Sequence, residues 1–405
     1  MVIPRFDDAR VLLYSHDTFG LGHLRRCREI AHALVEAWGG VQVMIISGAT
    51  IAGHFDYRVR VDFVKIPSII KLRNGEYTAM AQHISLEDTL AMRQSIIRHT
   101  AESFDPDIFI TDKEPLGLHG EIEETLAALK ARGTRLVLGL REVMDAPHLL
   151  RAEWAPKDML RKIEQYYDTI WVYGPPAFHD PLAGLDVPEA VRSRMRYTGF
   201  LERSLARGDP LEPRDLGDYI LVTGGGGGDG ADLFHAVLAA HRVDPGLGNC
   251  LMVLGPYLPA QDRRRLTAEA RRLPNLRLIS FDNRMEDLIA GARGVVGMCG
   301  YNTFCEILSF DRPALVVPRS APRLEQAIRA RRAADLGLVR LMIPEEAADP
   351  ERMAAALRAL PDAPRPSQST AAEAAIDMGG LSAIAGDVGA WLGARRRPFR
   401  TAVPA

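Results

Sequence analysis

Cysteine is scarce: Cys27, Cys250, Cys299 and Cys305 are the 4 in 405 residues, and they form neither a CxxC pair nor a cluster with nearby histidines. That spacing argues against a disulfide framework and a structural zinc site, and fits a reducing cytoplasm. Charge of one sign is also lacking, since Lys+Arg 50 face Asp+Glu 52 and leave a formal net charge of -2. A protein that coats nucleic acid needs a basic field, so that class is excluded. No long hydrophobic run exists. The longest uncharged stretch, residues 37–53, contains Gln42 and four glycines and reads as a helix end, a turn and a strand, too interrupted to span a bilayer. The N-terminus, MVIPRFDDAR, has acids where a secretion signal needs a basic start and an apolar run, so export by that route is not expected.

What is present is the composition of a globular protein, 47% hydrophobic and 25% charged, with length for two or three domains. Short β-rich runs alternate with helical stretches. In the first half the pattern predicts strands at residues 11–15, 41–47, 61–66, 108–111, 136–140 and 169–173, with a helix over 24–38. A stretch rich in Pro and Gly follows Tyr173, and then the pattern restarts with strands at 219–223, 251–254, 276–280, 294–297 and 314–317. Such alternation implies parallel sheets covered on both faces. The expected layout is two doubly wound α/β domains facing across a cleft, residues 1–200 and 201–365, with 366–405 as a C-terminal helix and basic tail.

Each half has a glycine loop where its first strand hands over to a helix. In the first, SHDTFGLGHL carries Gly20 and Gly22; in the second, VTGGGGGDGA carries Gly224, Gly225, Gly226, Gly227 and Gly228. Without side chains the backbone can approach a ligand closely, and the positive end of a helix dipole favours phosphate. Gly225, Gly227 and Gly230 satisfy GxGxxG, yet the next strand, CLMVLG, lacks the acid that would hold a nicotinamide ribose, and no Lys-Ser or Lys-Thr follows as in a Walker A loop. Dinucleotide, kinase and ATPase chemistry are therefore not expected.

The GLGH segment at Gly20 to His23, the five-glycine loop, and VVGMCGYNTFCEILSFDRPALVVPR followed by EQAIRA resemble the GT-B glycosyltransferases. Within that fold the chain is similar to the family 28-like group containing the N-acetylglucosaminyltransferase that completes the lipid-linked peptidoglycan precursor. More narrowly, SHDTFGLGHLRRCREIA and MCGYNTFCEILS resemble a set of predicted bacterial glycosyltransferases. The resemblance spans about residues 10 to 345. It implies a nucleotide-diphosphate sugar, UDP-linked, as substrate, with no cofactor, no metal and no nucleic-acid partner. A glycan, a lipid-linked molecule or a small molecule would be the acceptor, and hexosyl or N-acetylhexosaminyl transfer the activity.

Residue by residue, the resemblance places the donor diphosphate on Gly22 and the loop from Gly224 to Gly228. It puts the donor ribose on Glu306, the donor sugar on Glu325 and Gln326, and Tyr301, Asn302 and Thr303 in the same donor-binding set. Thr303-Phe-Cys-Glu306 also reads as a capping box, in which Glu306 would only hold its own helix start. His23 matches the family's histidine beside the reaction centre, where imidazole can accept a proton near neutral pH; Asp17 and His16 are reserve candidates. At strand ends facing the expected cleft, Arg25 with Arg26, Asp112, Lys113, Glu114, Arg141 and Glu142 are candidates for acceptor recognition. Asp105-Pro-Asp107 imitates a metal-binding DxD but precedes its strand, so it reads as a turn. The loop at residues 66–77 mixes Ile69, Ile70 and Leu72 with Lys71 and Arg73, which leaves open a peripheral position at the inner face of the membrane for a cytoplasmic protein. Three readings follow: an inverting, metal-independent transferase; a nucleotide-sugar hydrolase or epimerase of the same fold; and a nucleotide-sugar-binding protein without turnover.

Overall fold

The computed structural model describes residues 4–16, 20–71, 77–81, 83–205, 217–372 and 375–394. Two parallel sheets carry the fold. The first has seven strands in the spatial order Val61–Lys65, Gln42–Ser47, Arg10–Ser15, Ile108–Asp112, Arg135–Arg141, Thr169–Tyr173 and Met195–Tyr197. The second has six, in the order Leu276–Ile279, Cys250–Val253, Ile220–Thr223, Gly294–Gly297, Ala314–Val316 and Arg340–Leu341. Val11, Leu12, Leu13 and Tyr14 are all fully buried, consecutive rather than alternating, because helices cover both faces.

The expected strands all form, within a residue or two of their predicted ends. Those unforeseen are short: the edge strands Met195–Tyr197 and Arg340–Leu341, and a hairpin pairing Ile69–Lys71 with Tyr77–Ala79 outside both sheets. Two or three residues cannot show a period. Of the loop expected to expose Ile69, Ile70 and Leu72, Ile69 is buried in that hairpin, while Leu72 and Arg73 fall outside the described residues. Asp105 caps its helix in the left-handed region and Asp107 accepts from the Arg10 backbone N–H at 2.9 Å, so both serve a turn.

The C-terminal helix, Gly380–Ala394, returns to the first domain. Trp38 donates to the Ala385 carbonyl at 2.7 Å, Trp171 donates to Asp387 at 2.9 Å, and the Trp171 and Trp391 rings stack. The second domain is thus inserted between two connections, and these touch: Leu201 bridges Gly379, and Phe200 N–H donates to the Asp377 carbonyl at 2.6 Å. Beside them Phe178, Phe200 and Phe304 pack ring against ring, 5.2 to 5.5 Å between centroids. One apolar core is therefore continuous from the first sheet to the second.

Candidate active site

Three helices begin at one cavity of about 180 Å³ between the domains, Gly22–Ala37, Tyr301–Ser309 and Glu325–Asp335, and a fourth, Ala231–Val243, starts two residues past the lining residue Asp229. Their N-cap residues are Leu21, Gly230, Gly300 and Leu324, and no side chain caps any of them. A helix N-terminus carries unsatisfied N–H groups and partial positive charge, so uncapped starts at one place suit an anion. Gly22 and Gly224 to Gly227 line this cavity with Tyr301, Asn302, Thr303, Glu325 and Gln326, so the structure brings these sequence candidates together; Gly228 is not part of the lining.

The first-domain wall is built of charged side chains. His23 Nδ1 lies 2.7 Å from Asp112 Oδ2, and Arg26 donates to both oxygens of the same carboxylate, at 2.6 and 3.1 Å. Burial works to raise the Asp112 carboxyl, but Arg26 and His23 outweigh it and hold it well below the usual range. A permanent carboxylate fixes the Nδ1–H tautomer and leaves the ring's lone pair on Nε2, the arrangement a general base needs. Sequence reading noted Asp112 only as one of several strand-end charges. The signal that finds it is register: Ser15, just before the first glycine loop, pairs with Asp112 on the neighbouring strand.

Of the reserve bases, Asp17 lies outside the described residues. His16 is buried with its ring edge-on to His23, and burial pushes its pKa down to about 3, so it is a neutral imidazole at physiological pH. Lys113 is also buried, bonded to Glu114 at 2.6 Å, with burial lowering its ammonium pKa. Glu142 is fully buried and paired with Arg329 of the second domain, a structural tie across the interface rather than a recognition group. Arg141 lines the cavity.

The second-domain wall is largely backbone. A Cβ built on Gly226 would lie 2.9 Å from Leu21 Cβ and 3.0 Å from its backbone nitrogen, so the two loops meet only because residue 226 has no side chain. Thr223 Oγ1 accepts from Gly225 N–H at 3.0 Å and fixes the start of the turn. Beyond this loop the cleft narrows to about 30 Å³, lined by Phe55, Thr223, Phe281, Met285, Thr303 and Glu306, apolar rings and a few polar atoms.

Glu306 does not close a capping box. Its helix begins at Tyr301, so Thr303 and Glu306 are interior, and the Glu306 carboxylate bonds Arg25. Arg25, expected on the acceptor side, crosses the cleft from the first domain and also reaches Glu286 at 2.7 Å. Burial raises the Glu306 carboxyl to about 7 against the pull of Arg25. Glu325 accepts from Arg319 at 2.7 Å, and Arg319 also pairs with Asp229, a chain that sequence reading missed. Burial would raise the Glu325 carboxyl, but Arg141 and Arg319 bring it down to about 2. Gln326 Oε1 accepts from Arg319 N–H at 3.3 Å. Asn302 donates to the Gly22 carbonyl at 3.2 Å and accepts from Arg203 at 3.0 Å, tying the first helix to the second domain. The buried Tyr301 ring has Arg26 and Arg329 over it at 5.5 and 5.7 Å.

Residues 219–380 match the model of the glycosyltransferase family 28 C-terminal domain. No curated protein sequence matches the chain. Among solved structures it is similar to the glycotransferase of kitacinnamycin, at 17% identity and TM-score 0.61 over 95% of this chain and 99% of that one. It is also similar to MurG of Acinetobacter baumannii, at 14% identity and TM-score 0.56 over 94% and 99% of the two chains. A UDP-GlcNAc 2-epimerase from Neisseria meningitidis, bound to UDP-GlcNAc, is comparable at 14% identity and TM-score 0.59, covering 95% and 99%. Among the described residues no helix is long and apolar enough to cross a membrane. Two parallel α/β domains with a cavity between them are the GT-B fold, and the match to the glycosyltransferase family 28 C-terminal domain falls on the second of the two.

Proposed function

We propose that the protein transfers a sugar from a nucleotide diphosphate, UDP in the simplest case, to an acceptor hydroxyl, with inversion and without a metal. The observation that carries this reading is the convergence of uncapped helix N-termini and the glycine loop on one cavity, whose lining residue Arg26 bonds Asp112, itself bonded to His23. The diphosphate lies against the glycine loop and the helix starts, the nucleoside extends into the narrow part of the cleft, and Glu306 accepts from the ribose hydroxyls. Glu325 and Gln326 face the sugar. His23 takes the acceptor proton as the oxygen attacks the anomeric carbon, and Asp112 stabilises the imidazolium that forms. Backbone N–H groups and guanidinium groups supply the positive charge that a cation gives elsewhere, so turnover continues in EDTA.

Thermal-shift screening of UDP, dTDP, GDP and ADP sugars identifies the donor, since a tight ligand raises the melting temperature by mass action. Product analysis with and without acceptor then tests the transfer. Free sugar or an epimer formed equally well without acceptor supports the hydrolase or epimerase reading, which the similarity to an epimerase keeps in view. Donor binding with no turnover supports a binding protein.

A further inference from the structure

Four cations line the cavity between the domains: Arg25, Arg26, Arg141 and Arg319. Three are committed to carboxylates, Arg25 to Glu286 and Glu306, Arg26 to Asp112, and Arg319 to Asp229 and Glu325. Arg141 makes no side-chain hydrogen bond or ion pair to any described residue, and its Nε is buried without a partner. A buried guanidinium N–H without an acceptor is destabilising, and such groups persist where they serve a ligand.

Its position says which ligand. Arg141 ends the strand Arg135–Arg141, on the first-domain side of the same cavity that Gly224 to Gly227 line from the second. The strongest attraction it feels comes through space from Glu325, whose Oε2 is likewise buried and unpartnered. Burial without a bonded anion lowers the guanidinium pKa to about 10, so it still carries its charge at neutral pH. An anion on the glycine loop would therefore meet one uncommitted cation, and it comes from the opposite domain.

We propose that Arg141 closes the diphosphate site from across the cleft and stabilises the departing nucleotide diphosphate, an inference that rests on the transferase reading above. In the transfer step the bond between the anomeric carbon and the diphosphate oxygen breaks, and its electron pair stays on that oxygen. The acceptor oxygen forms the new bond to carbon, its proton goes to His23, and Arg141 donates N–H bonds to the phosphate oxygens without giving up a proton. The interaction strengthens as charge grows on the leaving group, so it belongs to the transition state more than to the ground state. It also requires both domains to be in place, which couples closure of the cleft to chemistry.

The test compares the full-length wild type with Arg141→Gln and Arg141→Lys. Calorimetry first finds the tightest binder among UDP, dTDP, GDP and ADP, then titrates that diphosphate and its monophosphate into all three proteins. The expected result for Arg141→Gln is diphosphate affinity weakened about tenfold or more and monophosphate affinity changed less than about twofold. Its kcat should fall about 100-fold, with partial recovery in Arg141→Lys and on addition of guanidinium chloride at non-denaturing concentration. Equal affinity of Arg141→Gln for the diphosphate, or a loss confined to the KM of the acceptor, would overturn the proposal and make Arg141 an acceptor ligand. Should Arg141→Gln fail to fold, Arg141→Lys carries the same comparison, because it keeps the charge and loses the planar fork. A wild type that binds none of the four diphosphates overturns the donor-site reading itself, and this proposal with it.

Discussion

The first domain meets the cleft with the charged side chains of Arg25, Arg26 and Arg141, Arg26 bonded to Asp112 and Asp112 to His23, whereas the second meets it mainly with glycine backbone and helix starts. The difference sorts what is generic from what is particular. Backbone N–H groups recognise any diphosphate and carry little information about the rest of a ligand. A lattice of paired side chains has a fixed shape and fixed proton positions, so it suits fewer ligands than backbone does. It is consistent with this division that the family match covers residues 219–380, the backbone side, and stops short of the side-chain wall.

The sharpest way to break the comparison is His23→Ala. If the first-domain wall does the proton transfer, kcat falls about 10²- to 10⁴-fold while calorimetric affinity for the nucleotide diphosphate stays within a factor of about two. A folded variant that turns over at the wild-type rate would make the whole wall structural. Next is Glu306→Ala, one of the places where the second wall uses a side chain. Loss of the ribose acceptor should weaken the diphosphate about tenfold or more, and an unchanged dissociation constant would leave Glu306 only as the partner of Arg25.

His16→Asn tests the burial of the first wall through pH. The folded-state imidazole is held near 3, below its usual 6.5, so the protein keeps this contribution above pH 6.5 and loses it as pH falls toward 3. Denaturant titrations across that window should show the variant losing ~1–2 kcal/mol less stability than the wild type. Identical slopes would mean that His16 is solvated. The smallest effect belongs to Gly226→Ala, whose methyl group would press on Leu21 and part the loops. A three- to tenfold rise in donor KM is expected, ~1 kcal/mol, with the melting temperature nearly unchanged; no change in KM would show that the loops need not touch.

Sequence pattern located the long strands because buried parallel strands are continuous apolar runs, and located both glycine loops because five glycines in a row have few structural uses. It did not reveal pairings between distant residues. Asp112 became the partner of His23 only when sheet order put its strand beside the first one. The reach of Arg25 across to Glu306 and the isolation of Arg141 depend on how two domains dock, which no local periodicity encodes. The capping-box reading of Thr303 and Glu306 failed for a local reason: the helix starts at Tyr301, three residues earlier than that motif requires.

The side-by-side crossing of the two connections at Leu201 and Gly379 gives the molecule a mechanical character. A domain hung from one thread can swivel, but two threads hydrogen-bonded to each other behave as a flat strap. A strap bends readily across its width and resists torsion. With the aromatic packing of Phe178, Phe200 and Phe304 beside it, the strap opposes twisting of the second domain more than bending, and any bending that parts the cleft must also part the Arg25–Glu306 pair.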